Sequence, residues 1–233
     1  VGGVHMPQLL ISVTSVEEAK IALKNGADFI DLKDPGQGAL GALPVETVQE
    51  IADFVHAQIQ QGGRQVSATI GDLPMQPNLI LERVLALAKT NVDIIKIGFF
   101  ETADYQVCLD ALKLHARKGI KLIAVLFAEF HYPEYLVGAI REAGFYGLMV
   151  DTARKDGRTF LNYCSEVGMK AFSEKVQKHG LIFGLAGSLN IQHVDIVKRI
   201  NPTYIGFRGG VSVNNRREQY LDASKIKAIS KIM

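Results

Sequence analysis

Short apolar runs alternate along this chain with longer stretches in which apolar residues recur at helical spacing, and the pair repeats roughly every 25–30 residues. The runs are Leu9 to Val13, Phe29 to Lys33, Val66 to Gly71, Ile94 to Phe99, Leu122 to Ala128, Gly147 to Asp151, Leu181 to Ala186 and Tyr204 to Arg208. Each is nearly continuous rather than alternating, as expected of strands covered on both faces. The intervening stretches carry helix punctuation. Thr14-Ser15 ahead of Val16-Glu17-Glu18 supply a cap and first-turn acids, and the same segment stops at Asn25-Gly26. Arg117-Lys118-Gly119 and Lys178-His179-Gly180 close two others, with cations at the negative end of the helix dipole. Val45 to Gln61 forms a further helix. Eight strand–helix units predict an α/β protein, a (β/α)8 TIM barrel with a closed parallel sheet, as one domain over residues 6–233. The alternative is an open doubly wound sheet. It is disfavoured as a dinucleotide fold because no Gly-x-Gly-x-x-Gly follows the first run.

Composition narrows the setting. With 48% hydrophobic residues the chain can bury a large core, yet no apolar run approaches the ~20 residues that cross a bilayer. A cytoplasmic protein with no membrane contact is expected. Val1 to His5, ahead of Met6-Pro7, reads as a remnant preceding a natural start. A net charge of +2, with acids and bases interspersed, offers no basic stripe for nucleic acid. Cys108 and Cys164 have neither disulfide nor zinc spacing and read as packing residues. The sequence leaves the oligomeric state open, because helices such as Val45 to Gln61 can expose an apolar patch; a homo-oligomer is expected.

Lysines in apolar surroundings change the picture more. Lys33 ends Phe29-Ile30-Asp31-Leu32-Lys33, Lys96 interrupts Ile94-Ile95-Lys96-Ile97, and Lys155 follows Leu148-Met149-Val150-Asp151. Burying an ammonium costs several kcal/mol unless it is paired or loses its proton, and a neutral amine attacks carbonyls. In a barrel the working face lies at the carboxyl ends of the strands. Asp31 and Lys33 fall there, two residues apart and so on one side of the sheet. Asp151 and Lys155 end the sixth unit in the same way. The plainer reading of Lys33 is a surface cation paired with Asp34; that of Lys96 is a lysine facing the helices with its head in water. Lys121 opens the fifth strand, at the opposite end, and no direct role is expected for it.

The last two strands carry an anion signature. Leu185-Ala186-Gly187-Ser188-Leu189 and Gly206-Phe207-Arg208-Gly209-Gly210 combine glycines, which let backbone N–H groups approach an anion, with an arginine. Barrels commonly hold a phosphate at these loops, so Gly187, Ser188, Arg208, Gly209 and Gly210 are the candidate phosphate residues. Glycine-rich turns alone are the plainer reading. Six scattered histidines show no ligand spacing, and no metal is expected. Glu129 and His131, just after the fifth strand, are the acid and histidine best placed to matter.

Taken in order, Ile30-Asp31-Leu32-Lys33-Asp34-Pro35 with Gly38-Ala39-Leu40-Gly41, Val66-Ser67-Ala68-Thr69-Ile70-Gly71-Asp72, Ile95-Lys96-Ile97-Gly98, Val150-Asp151-Thr152-Ala153-Arg154-Lys155-Asp156-Gly157, Leu185-Ala186-Gly187-Ser188 and Gly206-Phe207-Arg208-Gly209 resemble one family. It is the (5-formylfuran-3-yl)methyl phosphate synthases of methanofuran biosynthesis, and the resemblance runs from about Leu9 to the end of the chain. It implies a lyase that joins two glyceraldehyde 3-phosphate molecules into 4-(hydroxymethyl)-2-furaldehyde phosphate, losing one phosphate and two waters. That stoichiometry balances without electron transfer, so no cofactor is expected. By the same resemblance Lys33 is the Schiff-base lysine, Lys96 the proton acceptor, and Asp31, Asp151 and Lys155 further active-site residues. Either carboxylate is a candidate general acid. Arg154, Lys155 and Arg158 are candidates for holding a second phosphate. A transaldolase-like Schiff-base aldolase and a non-catalytic phospho-ligand-binding barrel are the competing readings.

Overall fold

The computed structural model describes residues 5–58 and 64–233. Eight parallel strands close into a barrel in sequence order, β8 pairing with β1. The strands are β1 (Gln8–Val13), β2 (Phe29–Leu32), β3 (Gln65–Thr69), β4 (Ile94–Gly98), β5 (Lys121–Phe127), β6 (Gly147–Asp151), β7 (Ile182–Leu185) and β8 (Tyr204–Phe207). The helices are α1 (Val16–Lys24), α2 (Val45–Gln58), α3 (Pro77–Ala88), α4 (Gln106–Arg117), α5 (Leu136–Glu142), α6 (Glu166–Lys178), α7 (Val194–Ile200) and α8 (Ala223–Ile232). The eight expected runs coincide with the eight strands to within two residues at either end. Lys33 lies one residue beyond β2 rather than inside it, because its neighbour Asp34 already turns into a 3-10 turn at Pro35–Gln37. Of the expected helix Val45 to Gln61, the part beyond Gln58 lies outside the described residues, as do Val1 to Val4 of the amino-terminal segment.

Local signals set the helix ends. The Ser15 side chain accepts from the Glu18 N–H and starts α1, and Ser165 and Asp222 start α6 and α8 in the same way. The burial pattern then separates two cores. Outward-facing strand residues such as Ile11, Ile30, Ala68 and Ile97 pack with the inner faces of the helices. Inward-facing residues Leu10, Phe29, Ile94, Ile123, Met149 and Tyr204 fill the barrel itself. Tyr204 is fully buried among them and its hydroxyl donates to Met149 Sδ at 3.0 Å. Above this apolar plug the inward positions change from hydrocarbon to Ser12, Asp31, Ser67, Lys96 and Asp151, all buried. Among the described residues no helix is long and apolar enough to cross a membrane.

Candidate active site

Parallel register places Ser12, Asp31 and Ser67 side by side across β1, β2 and β3. The Asp31 carboxylate therefore lies between two hydroxyls and accepts from Ser12 Oγ at 3.0 Å and from Ser67 Oγ at 2.7 Å. Lys96, two residues beyond the Ser67 partner Ile94, reaches back with Nζ 3.1 Å from Asp31 Oδ1. The same ammonium lies 5.6 Å from the centroid of the Tyr204 ring. Lys96 thus faces the barrel interior and not the helices. Burial alone would raise the Asp31 carboxyl, but Lys96 and Lys33, with hydrogen bonds from Ser67 and Lys96, hold it below the usual carboxylate range.

A second pair stands on β6 and its loop. Lys155 Nζ donates to Asp151 Oδ1 at 2.9 Å and to Thr152 Oγ1 at 3.1 Å. Asp151 Oδ1 also accepts from the Thr152 N–H at 2.7 Å. Burial would raise Asp151 as well, yet Lys155 and Lys33 hold it well below the usual range. The loop that carries Lys155 is tied to the end of β5 by Glu129, whose carboxylate accepts from the Ala153 and Arg154 N–H groups at 2.9 and 2.7 Å. Glu129 thus holds backbone, and His131 is exposed.

Lys33 differs from both of these lysines. It is 7% exposed, and among the described residues its amine makes neither a hydrogen bond nor an ion pair. Burial is the largest influence and pushes it down; Asp151 pulls it up, Lys155 pushes it down, Asp31 pulls it up and Arg217 pushes it down, and the amine settles at about 8. Lys96 is not among the main influences on Lys33, its charge being engaged by Asp31. The surface pairing with Asp34 is also excluded, because Asp34 caps its own turn by accepting from the Gly36 N–H at 2.9 Å.

All ten expected site residues (Asp31, Lys33, Lys96, Asp151, Lys155, Gly187, Ser188, Arg208, Gly209 and Gly210) line one cavity of about 410 Å³ at the carboxyl ends of the strands. The glycine loops close its wall. Gly187 has φ +106°, and a Cβ there would come within 2.9 Å of the Thr152 backbone nitrogen; a Cβ on Gly210 would come within 2.2 Å of the Leu189 carbonyl. The N–H groups of Gly187, Ser188, Gly209 and Gly210 donate to no acceptor among the described residues.

Arg208 needs correcting as a phosphate ligand. All five of its N–H bonds are engaged within the protein: Nε with the Arg217 carbonyl, Nη1 with the Ser12 carbonyl and Glu18, and Nη2 with Glu18 and the Gln219 carbonyl. Glu18, read from the sequence as a first-turn acid of α1, is 5% exposed and forms a two-pronged ion pair with Arg208. Arg154 and Arg158 are exposed and outside the cavity lining, whereas Arg216 and Arg217, which sequence reasoning passed over, are part of it. A signal for them existed, two adjacent arginines shortly after the Gly209-Gly210 pair that follows β8, but it is indistinguishable from surface charge. Among the described residues no group of three or more His, Cys, Asp and Glu side chains is placed to hold a metal ion. Chemically, the cavity offers a neutralisable amine beside two lysine–carboxylate pairs and a rim of unengaged amides.

A family model described as 4-HFC-P synthase matches residues 9–230. A Methylorubrum extorquens protein named as a candidate (5-formylfuran-3-yl)methyl phosphate synthase is 40% identical over 221 residues, 94% of this chain and 89% of that one. The (5-formylfuran-3-yl)methyl phosphate synthase of Methanocaldococcus jannaschii is 31% identical over 236 residues, 96% of this chain and 98% of its own. Among solved structures, phosphoribosyl anthranilate isomerase from Thermococcus kodakaraensis superposes with a TM-score of 0.67 at 14% identity over 97% of this chain and 98% of that one, a likeness of fold.

Proposed function

The chain belongs to the 4-HFC-P synthase family, and from that premise we propose that it joins two glyceraldehyde 3-phosphate molecules into (5-formylfuran-3-yl)methyl phosphate, with loss of one phosphate and two waters, in methanofuran biosynthesis. The observation that carries the reading is Lys33, buried at the cavity and unpaired among the described residues, with its amine lowered to about 8. A free lysine is less than a thousandth neutral at pH 7, whereas an amine near 8 is roughly a tenth neutral. Lys33 attacks one triose carbonyl and forms an iminium, which draws electrons from the adjacent carbon. The Lys96–Asp31 pair removes that carbon's proton, and the enamine attacks the second aldehyde.

Asp31 and Asp151 are both held as anions, so neither is a natural proton source near pH 7. Protons for the departing oxygens come from the lysine side of each pair, Lys96 and Lys155, while the carboxylates orient them. The amides of Gly187, Ser188, Gly209 and Gly210 receive one phosphate. Borohydride reduction in the presence of glyceraldehyde 3-phosphate is expected to leave an adduct on Lys33, absent in Lys33→Ala, alongside release of one phosphate per furan. An adduct without phosphate release would indicate a transaldolase-like aldolase, and full adduct in Lys33→Ala would overturn the assignment.

A further inference from the structure

Condensing two triose phosphates brings two phosphates into one cavity, and the amides of the β7 and β8 loops form a single anion cradle. The cations lining the cavity are Lys33, Lys96, Lys155, Arg208, Arg216 and Arg217. Lys96 is paired with Asp31, Lys155 with Asp151 and Arg208 with Glu18, and Lys33 is reserved for the carbonyl. Arg216 and Arg217 remain. Arg217 is half-buried, yet no carboxylate lies within ion-pair distance of it among the described residues. It donates from Nη1 to the Pro35 carbonyl at 2.6 Å and from Nη2 to the Gly38 carbonyl at 3.0 Å. Three further N–H bonds have no acceptor among the described residues, in contrast to the saturated Arg208.

The placement of this guanidinium is built into the fold. Arg208 Nε grips the Arg217 carbonyl at 2.7 Å, fixing the backbone from the β8 side, and the two carbonyl contacts fix the side chain against the loop that follows Lys33. A half-buried guanidinium with N–H groups left over and no ion-pair partner among the described residues is poised to take an anion at its open side. Its charge is also felt at Lys33, as expected of a group across the same mouth.

We infer that Arg217, with Arg216 beside it at the rim, forms a second phosphate subsite between the β8 and β2 loops, which holds the phosphate of the triose that the enamine attacks. The inference rests on the two-triose reading above. It separates the anion sites by role: the β7 and β8 amides hold the triose bound to Lys33, and the arginines hold its partner.

Glycerol 3-phosphate has no carbonyl and so reports phosphate binding apart from chemistry. Calorimetric titration of the full chain is expected to show two sites, and Arg217→Met one. In the same variant the borohydride-trapped Lys33 adduct stays within about twofold of the unaltered protein, while phosphate release at subsaturating substrate falls about tenfold or more. Arg217→Lys keeps a charge without the fork and should weaken the second site while preserving the thermal melt, which covers the case in which Arg217→Met does not fold. Two undiminished sites in both variants, or loss of the adduct in step with turnover, would overturn the proposal. Two sites in a protein that forms no adduct would leave the subsite standing and sink the reaction instead.

Discussion

Lys33 keeps its amine inside the protein with no acceptor among the described residues, a condition that favours the neutral form and works against stability at the same time. The protonated amine is disfavoured in the fold, so the penalty is full below pH 8 and fades as pH rises from 8 toward the ordinary lysine value of 10.5. The gap is worth at most about 3 kcal/mol. Lys33→Met is therefore expected to raise the unfolding free energy at pH 7 by about 1–3 kcal/mol, with the gain shrinking toward pH 10; urea melts at the two pH values check this, and an equal gain at both would contradict it. Asp31 behaves oppositely. Asp31→Asn leaves buried Lys96 without its counter-ion and is expected to cost about 3–5 kcal/mol in the same melts. The meeting of Lys33, Lys96, Asp31, Asp151 and Lys155 at one cavity was legible in the sequence because each interrupts, ends or closely follows an apolar run. Ser12 and Arg217 were not, since a serine in a strand and an arginine in a loop acquire meaning only from partners on other strands and loops.

At the scale of elements, the loop after β6 owes its shape to the end of β5. Glu129 holds two successive N–H groups of that loop with its two carboxylate oxygens, and Lys155 follows directly. Glu129→Gln would set an amide NH2 against a backbone N–H, so about a tenfold fall in phosphate release is expected, with the Lys33 adduct still formed. Loss of both would show that the loop supports the whole site instead. The strand pattern was readable since every strand is covered on both faces and so presents a nearly unbroken apolar run. The use of Arg208 was not readable. A glycine-rich turn with an arginine looks the same whether its guanidinium meets a ligand or a glutamate 190 residues away.

Across the whole molecule, the Glu18–Arg208 pair joins α1 to the end of β8 where the barrel closes on β1. Both groups are buried, and Glu18 also accepts from the Thr14 and Leu221 N–H groups. Glu18→Gln is expected to lower the unfolding free energy by about 3–5 kcal/mol, because it strands a buried guanidinium. Denaturant titration measures the loss, and a change below about 1 kcal/mol would show that the pair does not hold the seam. The plug of Tyr204, Met149 and Phe29 has a further consequence. It makes the reaction chamber a blind alley, so anything that enters past Lys33 must leave by the same doorway. In the proposed condensation, two sugars going in and a furan, a phosphate and two waters coming out would share that passage, so slow product exit would hold back the next entry.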